Sequence, residues 1–489
     1  MCGLAGAWGD IKDESIRRMM DSLSHRGPDD EGTFTPPDGS GVLGFRRLSI
    51  MDPEGGHQPI IGSDGNRAIV ANGEIYNFPK IRQELAPRHT FSTGNDSEAI
   101  LRLYEEHGTA AVEHLDGMYA FALLDGNDIF LARDPLGIKP LYLGCSDGSF
   151  MFASELKALA GCCDDVSEFP PGTSYHSRTG FSTFYEVPEH SPREDSVRAW
   201  CRRIRETMER CVVKQLMSDV PLGFFLSGGL DSSVICALAR RHVEEMHTFS
   251  VGIQGSGDLQ AARRVAGWLG TVHHEYEITP EEVAEALPEV IYYLESFDQD
   301  LVRSAIPTYF TARLAAEHVD VVLSGEGADE LFAGYSYHKG IGDEEQLHRE
   351  LRRSVTALHN VNLQRVDRMT MAHSLEGRPP FLDEEMVALA QEVPAELKLG
   401  GESAAGRWSK WILRKAFEDL LPEEIVWRRK AQFDEGSGIA DVASAKGAEG
   451  MCPEEADAHR RRHAGTRLRS AEECHYHRLL LDAFDDPEP

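Results

Sequence analysis

From residue 1 to about residue 188, apolar positions fall in short runs broken by Asp, Asn and Gly, a pattern of antiparallel strands joined by tight turns. Residues 119–124, the turn Asp125-Gly126-Asn127 and residues 129–132 predict one hairpin. Residues 141–144, Asp147-Gly148 and residues 150–153 predict a second. Residues 16–23 and 96–106 carry apolar side chains at helical spacing instead. The first half is therefore expected to be α+β, built on antiparallel sheet.

The pattern changes after the polar segment 189–197, which reads as a linker. Apolar strands now alternate with longer helical stretches. Residues 220–226 precede a helix expected near Ser232, 248–251 one near Asp258, 272–278 one near Pro280, and 319–323 one near Asp329. Such alternation predicts a parallel, doubly wound α/β sheet that binds ligands at the carboxyl ends of its strands. The expected organisation is two units, 1–188 and 198–440, followed by a charged, Ala-rich tail, 441–489, expected to be helical with loose ends.

Composition narrows the class. Across 489 residues, 41% hydrophobic and 27% charged content is that of a soluble globular chain. No apolar run approaches the roughly 18 residues that span a bilayer, and the N-terminus lacks the basic flank of a signal peptide. Nine scattered cysteines without CxxC spacing argue against a disulfide framework or structural zinc, and for a reducing cytoplasm. The net charge of −31 repels nucleic acid and anionic membranes, so neither is an expected partner. Two sources of that charge stay open: adaptation to a salty interior, where screening relieves self-repulsion, or an acidic bias of the lineage.

Cys2 precedes Gly3. Removal of Met1 would give one residue both a thiol and an α-amine, whose ordinary pKa of about 7.7–8 suits it as the thiol's base. A cysteine at position 2 is by itself incidental more often than not. Its context is not: His25-Arg26-Gly27-Pro28-Asp29, Arg47-Leu48-Ser49-Ile50, Asn72-Gly73-Glu74-Ile75-Tyr76-Asn77, Gly94-Asn95-Asp96-Ser97-Glu98 and Arg133-Asp134-Pro135-Leu136-Gly137 occur in that order. Together they resemble the glutaminase domain of class II glutamine amidotransferases, an N-terminal-nucleophile hydrolase fold. Glutamine is a zwitterion with a terminal amide, and the residue types fit it. Arg47 can grip the carboxylate with two parallel donors, and Asp96 can pair with the ammonium. Asn72 and the N–H of Gly73 can stabilise the oxyanion of a tetrahedral intermediate. Glu74 and the backbone of Leu48, Ser49, Ile50 and Met51 would add contacts. Read singly, Asn72-Gly73 is equally a turn and Arg47 a surface charge; the ordered set favours binding.

Leu226-Ser227-Gly228-Gly229-Leu230-Asp231-Ser232-Ser233 falls between a strand and a helix. Paired glycines let amide N–H groups approach a ligand, and the following helix aims its positive end there. Ser227, Ser232 and Ser233 offer hydroxyls, and Asp231 can hold Mg²⁺ against pyrophosphate. The Gly-Lys-Ser/Thr ending of a Walker A loop is absent. The segment resembles the PP-loop of enzymes that split ATP to AMP and pyrophosphate. Ser324-Gly325-Glu326-Gly327-Ala328-Asp329-Glu330 follows another strand and should share that sheet edge. Asp329 is a second candidate Mg²⁺ ligand. Glu326 is a candidate for orienting an attacking amine, and equally for a plain helix cap.

These segments join Phe249-Ser250-Val251-Gly252, Gly270-Thr271-Val272-His273-His274-Glu275, Asp367-Arg368-Met369-Thr370-Met371-Ala372-His373, Arg378-Pro379-Pro380-Phe381-Leu382-Asp383 and Trp427-Arg428-Arg429-Lys430. The whole resembles the glutamine-hydrolysing asparagine synthetase family over about residues 1–440. The resemblance implies that Leu226 and Val251 lie near adenine, that Gly252 belongs to the ATP site and that Ser324-Gly325 contact the nucleotide. It implies that Glu326 acts on a β-aspartyl-AMP intermediate, and that Arg303 and Lys430 lie near aspartate and the activated acyl phosphate. It implies ATP and Mg²⁺, release of AMP, pyrophosphate and glutamate, and a homodimer. Asn362 stands where close relatives carry Asp, which leaves open a homologue that amidates or cyclises another carboxylate. A catalytically silent nucleotide-binding protein and a stand-alone glutaminase are the remaining alternatives; the full set Cys2, Arg47, Asp96, Asp231 and Asp329 speaks against the first, and ATP consumption would exclude the second.

Overall fold

The computed structural model describes residues 2–9, 13–146, 149–163, 165–403, 406–429 and 436–484. In the first half, two six-stranded antiparallel sheets stack face to face. One runs in space through Asp165–Glu168, Tyr142–Ser146, Ser149–Ala153, Gly3–Trp8, Gly41–Arg47 and Asp30–Phe34. The other runs through Gly180–Thr183, Thr173–His176, Asp128–Arg133, Gly117–Asp125, Arg67–Ile75 and Ile60–Ile61. Alternation along the strands puts Leu4, Phe45 and Phe152 of one sheet and Val70, Ala122 and Leu131 of the other into a shared core. The outer faces are covered by helix Asp13–Ser22 on one side and by Phe78–Leu85 and Glu98–His107 on the other. The result is a helix–sheet–sheet–helix sandwich. Both expected hairpins form, Gly117–Asp125 with Asp128–Arg133 and Tyr142–Ser146 with Ser149–Ala153; the turn 147–148 of the second lies outside the described residues.

The second half is organised around a five-stranded, all-parallel sheet in the order Val272–Glu277, His247–Gly252, Leu222–Phe225, Val321–Leu323, Glu376–Arg378. The chain winds outward from Leu222–Phe225 first one way and then the other, so the switch point falls between that strand and Val321–Leu323. Loops leaving these two neighbours diverge and open a crevice, and they are the two Gly-rich segments. The fifth strand is invisible in the hydropathy pattern because Glu-Gly-Arg has no apolar residue. It is buried by pairing its own charges, Glu376 Oε1 to Arg378 Nε at 2.6 Å.

The tail departs from its expected looseness. Ile439–Glu449, Pro453–Arg462 and Ala471–Ala483 are helical, as expected, but they dock. Ile439, Ala443 and the fully buried Tyr476 share a core with Val290 and Ile306 of helices Pro280–Leu294 and Gln299–Ala316. Ala443 and Gly447, where a Cβ would lie 2.8 Å from the Tyr476 hydroxyl, allow the tail helices to approach each other closely.

Among the contacts that join the halves, two groups position the sites. One is a buried charge cluster in which Arg26 reaches Glu155 (2.5 Å) and Asp367 (2.8 Å), Lys157 reaches Glu155 (2.5 Å) and Arg368 reaches Glu295 (3.0 Å). The other is an apolar seam: Leu48, Ile50 and Met51 pack on Val321 and Met371.

Candidate active sites

Cys2 stands just before the strand Gly3–Trp8 and is buried. Its N–H donates to Asn72 Oδ1 (2.9 Å), its thiol lies 3.7 Å from Leu48 O, and its carbonyl accepts from Arg26 Nε (3.0 Å). Burial raises the thiol pKa above its ordinary value, so the sulfur needs a base to become nucleophilic. Asn72 and Gly73 lie on Arg67–Ile75. Asn72 Nδ2 is buried without a hydrogen-bond partner. An orphaned interior donor costs about 1–3 kcal/mol and marks a place for an acceptor from outside. Gly73 has φ 143°, and a Cβ there would fall 1.9 Å from Met118 O, so only glycine fits.

Arg47 is buried yet donates only to carbonyls, those of Met51 (3.2 Å), Asp52 (2.7 Å) and Pro53 (3.1 Å). Among the described residues no carboxylate neutralises it. Asp96 accepts from Ile75 N–H (2.6 Å), and burial lifts its pKa to about 6. Burial, then the charge of Asp96, raises Glu74 further; its Oε2 is buried and unpartnered while Arg378 lies 3.4 Å from Oε1. Cys2, Arg47, Leu48, Ile50, Met51, Gly73, Glu74 and Asp96 line one cavity of about 20 Å³, joined by Gln58 and Asn95, which sequence reasoning missed. Asn72 touches Cys2 rather than the cavity, and Ser49 is turned away, its N–H donating to Asp29 (2.7 Å).

A larger cleft of about 500 Å³ opens at the switch point. Leu226, Ser227, Gly229, Asp231, Ser232, Ser324, Gly325, Glu326 and Asp329 all line it. Gly228 has φ 69°, and a Cβ there would lie 2.4 Å from Ala262 N, so the loop can pass under helix Gly257–Leu269 only as glycine. Four sequence assignments lie elsewhere. Ser233 is fully buried and spends its hydroxyl on Gly229 O (2.6 Å), bonding the first turn of Leu230–Ala239. Val251 points into the core beside Ile278 and Leu287, and the space beside Gly252 is taken by Ser256, 2.4 Å from its would-be Cβ; Phe249 and Ser250 of that strand face the cleft instead. Arg303 does not line the cleft, because its guanidinium is drawn to Glu472 of the docked tail (2.9 Å at Nε). Lys430 lies outside the described residues.

Lys410 is the main residue that sequence reasoning missed. Its ammonium bridges Asp231 (2.5 Å) and Asp329 (2.6 Å) from a left-handed backbone position, φ 55°. Burial opposes its charge, but the two carboxylates outweigh burial and raise its pKa. Asp231 Oδ1 remains buried and unpartnered. Glu326 makes no cap bond to helix Ala328–Phe332; it pairs with Arg365 (2.6 Å) on the cleft wall. Glu330, pushed up to about 7 by burial and then by Asp329, accepts from Asn362 Nδ2 (3.1 Å) and from the Tyr335 hydroxyl. Arg365 and Arg428, which binds Asp258 (2.8 Å), also line the cleft. A lone lysine about 180 residues from Asp231 in the chain carries no motif, so nothing in the sequence flags Lys410.

A cysteine-headed antiparallel sandwich fused to a parallel sheet with a Ser-Gly-Gly loop at its switch point defines a glutamine amidotransferase joined to a nucleotide-using synthetase. Family comparisons agree. The model described as "Glutamine amidotransferase domain" matches residues 1–177, and that described as "Asparagine synthase" matches 203–341 and 340–465. The chain is 40% identical over 470 residues to asparagine synthetase [glutamine-hydrolyzing] 2 of Arabidopsis thaliana, covering 91% of this chain and 81% of that one. It is 41% identical over 470 residues to the enzyme of Triphysaria versicolor (91% and 80%), and 37% over 520 residues to that of Asparagus officinalis (99% and 86%). The chain belongs to the glutamine-hydrolysing asparagine synthetase family.

Proposed function

We propose that this chain makes L-asparagine: aspartate, glutamine, ATP and water yield asparagine, glutamate, AMP and pyrophosphate. With Met1 removed, the nitrogen beside Asn72 Oδ1 is an α-amine that can take the Cys2 proton. The thiolate attacks the glutamine amide, ammonia leaves, and water then releases glutamate from the thioester. Asn72 Nδ2 and Gly73 N–H serve the oxyanion, Arg47 the substrate carboxylate and Asp96 its ammonium. In the cleft, the aspartate side chain attacks the α-phosphorus of ATP, expelling pyrophosphate, and ammonia displaces AMP from the anhydride. The Leu226–Ser232 loop cradles the phosphates, and Glu326, held by Arg365, takes a proton from the attacking amine. The all-oxygen donors Asp231 and Asp329, one with an unpartnered oxygen, fit a hard divalent cation, and Mg²⁺ there would neutralise pyrophosphate charge. Lys430 is assigned to the acyl phosphate.

One observation carries the reading: the loop that walls the cysteine cavity packs on Val321 of the parallel sheet and on Met371 at the end of helix Asn362–Met371, an apolar seam that neutral ammonia can cross and ammonium cannot. We assign residues 1–188 to nitrogen release and 198–440 to acyl activation, in a homodimeric cytoplasmic enzyme; no helix among the described residues is long and apolar enough to cross a membrane.

The test supplies glutamine, aspartate and Mg-ATP and measures asparagine and adenine nucleotides. The expected products are asparagine and AMP, and a Cys2→Ala variant loses glutamine-driven synthesis while keeping synthesis from ammonium salts. ADP as product, or loss of both activities in the variant, overturns the reading. Asn362, a neutral amide on the cleft wall, favours one second reading, amidation of a different carboxylate. AMP formation that is stimulated by another dicarboxylate but not by aspartate would select it.

A further inference from the structure

The docked tail holds a cluster that nothing in amide transfer uses. His459 lies in helix Pro453–Arg462, His463 caps that helix one turn later, and His477 reaches across from helix Ala471–Ala483. Each offers a ring nitrogen, and the three lie within 4.8 Å of one another, the only such group of three histidine, cysteine or carboxylate side chains among the described residues. Ligand atoms around a tetrahedral zinc stand about 3.3 Å apart, as Zn–N bonds of about 2.0–2.1 Å require. One pair, His459 Nε2 and His477 Nδ1, is already at 2.9 Å. The ring centroids of His459–His463 and His463–His477 are 4.5 and 4.9 Å apart. His463 and His477 are buried and His459 is half-buried, so one side of the cluster stays open for entry.

We propose that His459, His463 and His477 form a zinc site that clips the two tail helices together, with water or another ligand in the fourth position. The i, i+4 pair on one helix turn plus a third imidazole from the facing helix is a donor set for borderline cations such as Zn²⁺ and not for Mg²⁺. The mutual His459–His477 hydrogen bond is what the metal would replace.

The clip has consequences for the cleft. His477 packs edge-on against Phe297 at 4.8 Å, and Arg469, in the link between the two helices, holds Asp298 (2.7 Å) and Asp300 (3.0 Å). Those two aspartates line the nucleotide cleft. Zinc therefore stiffens the outer wall of the synthetase site rather than taking part in its chemistry.

The test uses the full-length chain, stripped with EDTA, returned to metal-free buffer and titrated calorimetrically with Zn²⁺ alone. Expected are one equivalent that raises the thermal midpoint by a few degrees, slower tryptic cleavage at Arg460, Arg461 and Arg462, and an intense visible spectrum of tetrahedral Co²⁺ in place of zinc. His459→Asn and, separately, His477→Asn should weaken that equivalent by at least about 10–100-fold, the loss known for removal of mere supporting groups, and should abolish the zinc-dependent thermal shift. The half-buried position of His459 lets the first variant fold, checked by an unchanged circular dichroism spectrum. No zinc binding at sub-millimolar metal, or binding of undiminished affinity in both variants, overturns the proposal.

Discussion

Asp96 and Lys398 show how individual buried charges trade stability for chemistry. Asp96 has a folded pKa of about 6 against roughly 3.9 in an unfolded chain. The folded state thus binds the proton more tightly, and its stability falls as pH rises from about 4 to 6. Holding Asp96 ionised at neutral pH costs about 3 kcal/mol in the folded protein. Asp96→Asn should raise the thermal midpoint of the glutamine-free protein at pH 7.5 and flatten that acid-side decline. It should also lower glutamine-dependent kcat/KM by about 10- to 100-fold, the worth of one charged hydrogen bond. A lower midpoint in the variant would contradict this account. Lys398 is the opposite case: fully buried, with no hydrogen-bond partner among the described residues, its pKa falls to about 7 through burial. The unfolded chain binds that proton more tightly, so stability should climb from pH 7 to about 10. Lys398→Met should remove the climb and stabilise the protein at pH 7.5 by up to about 4 kcal/mol; chemical denaturation at several pH values reads both effects.

At the scale of elements, the segments that stand out in the sequence are largely those that meet between the halves. Arg26, from the His-Arg-Gly-Pro-Asp segment, and Asp367-Arg368, from the Asp-Arg-Met segment, are partners in one buried cluster, and Arg26 also holds the Cys2 carbonyl. Asp367→Ala leaves Arg26 and Arg368 with less buried counter-charge, which should destabilise by about 3–5 kcal/mol. The tie on Cys2 predicts that glutaminase activity falls with it, while AMP formation with ammonia persists. Unchanged denaturation midpoints would refute the link. This geometry explains what was legible. Strands and helices with a regular apolar period were found within a few residues, and Cys2, Gly73 and Asp231, singled out by local motifs, line the two cavities. Lys410 was hidden because its carboxylate partners are remote in the chain, and Glu376–Arg378 because a strand buried by pairing its own charges has no apolar period. Ser233, Val251 and Arg303 do not line the cleft. Each has the right chemistry and lies within a residue or two of cleft-lining positions, but a helix turn, a core and a docked tail claim their side chains.

For the whole molecule, 81 acidic against 50 basic residues leave a charge of −31 and a net self-repulsion. Potassium chloride should raise the thermal midpoint steeply up to about 1 M, where the Debye length has shrunk to about 3 Å; a flat or falling curve would remove adaptation to a salty interior. The buried cluster between the halves is screened far less, so salt should strengthen the fold without parting its two units. The seam beside that cluster has a further consequence. Val321, on which Leu48, Ile50 and Met51 rest, lies in the strand that runs directly into Ser324 and Gly325. A side chain pushed aside by an arriving amide at one end therefore leans on the strand that carries the other end's nucleotide loop. The two reactions share a party wall, and the timing between them can be kept by neighbours touching, with no messenger sent around the outside.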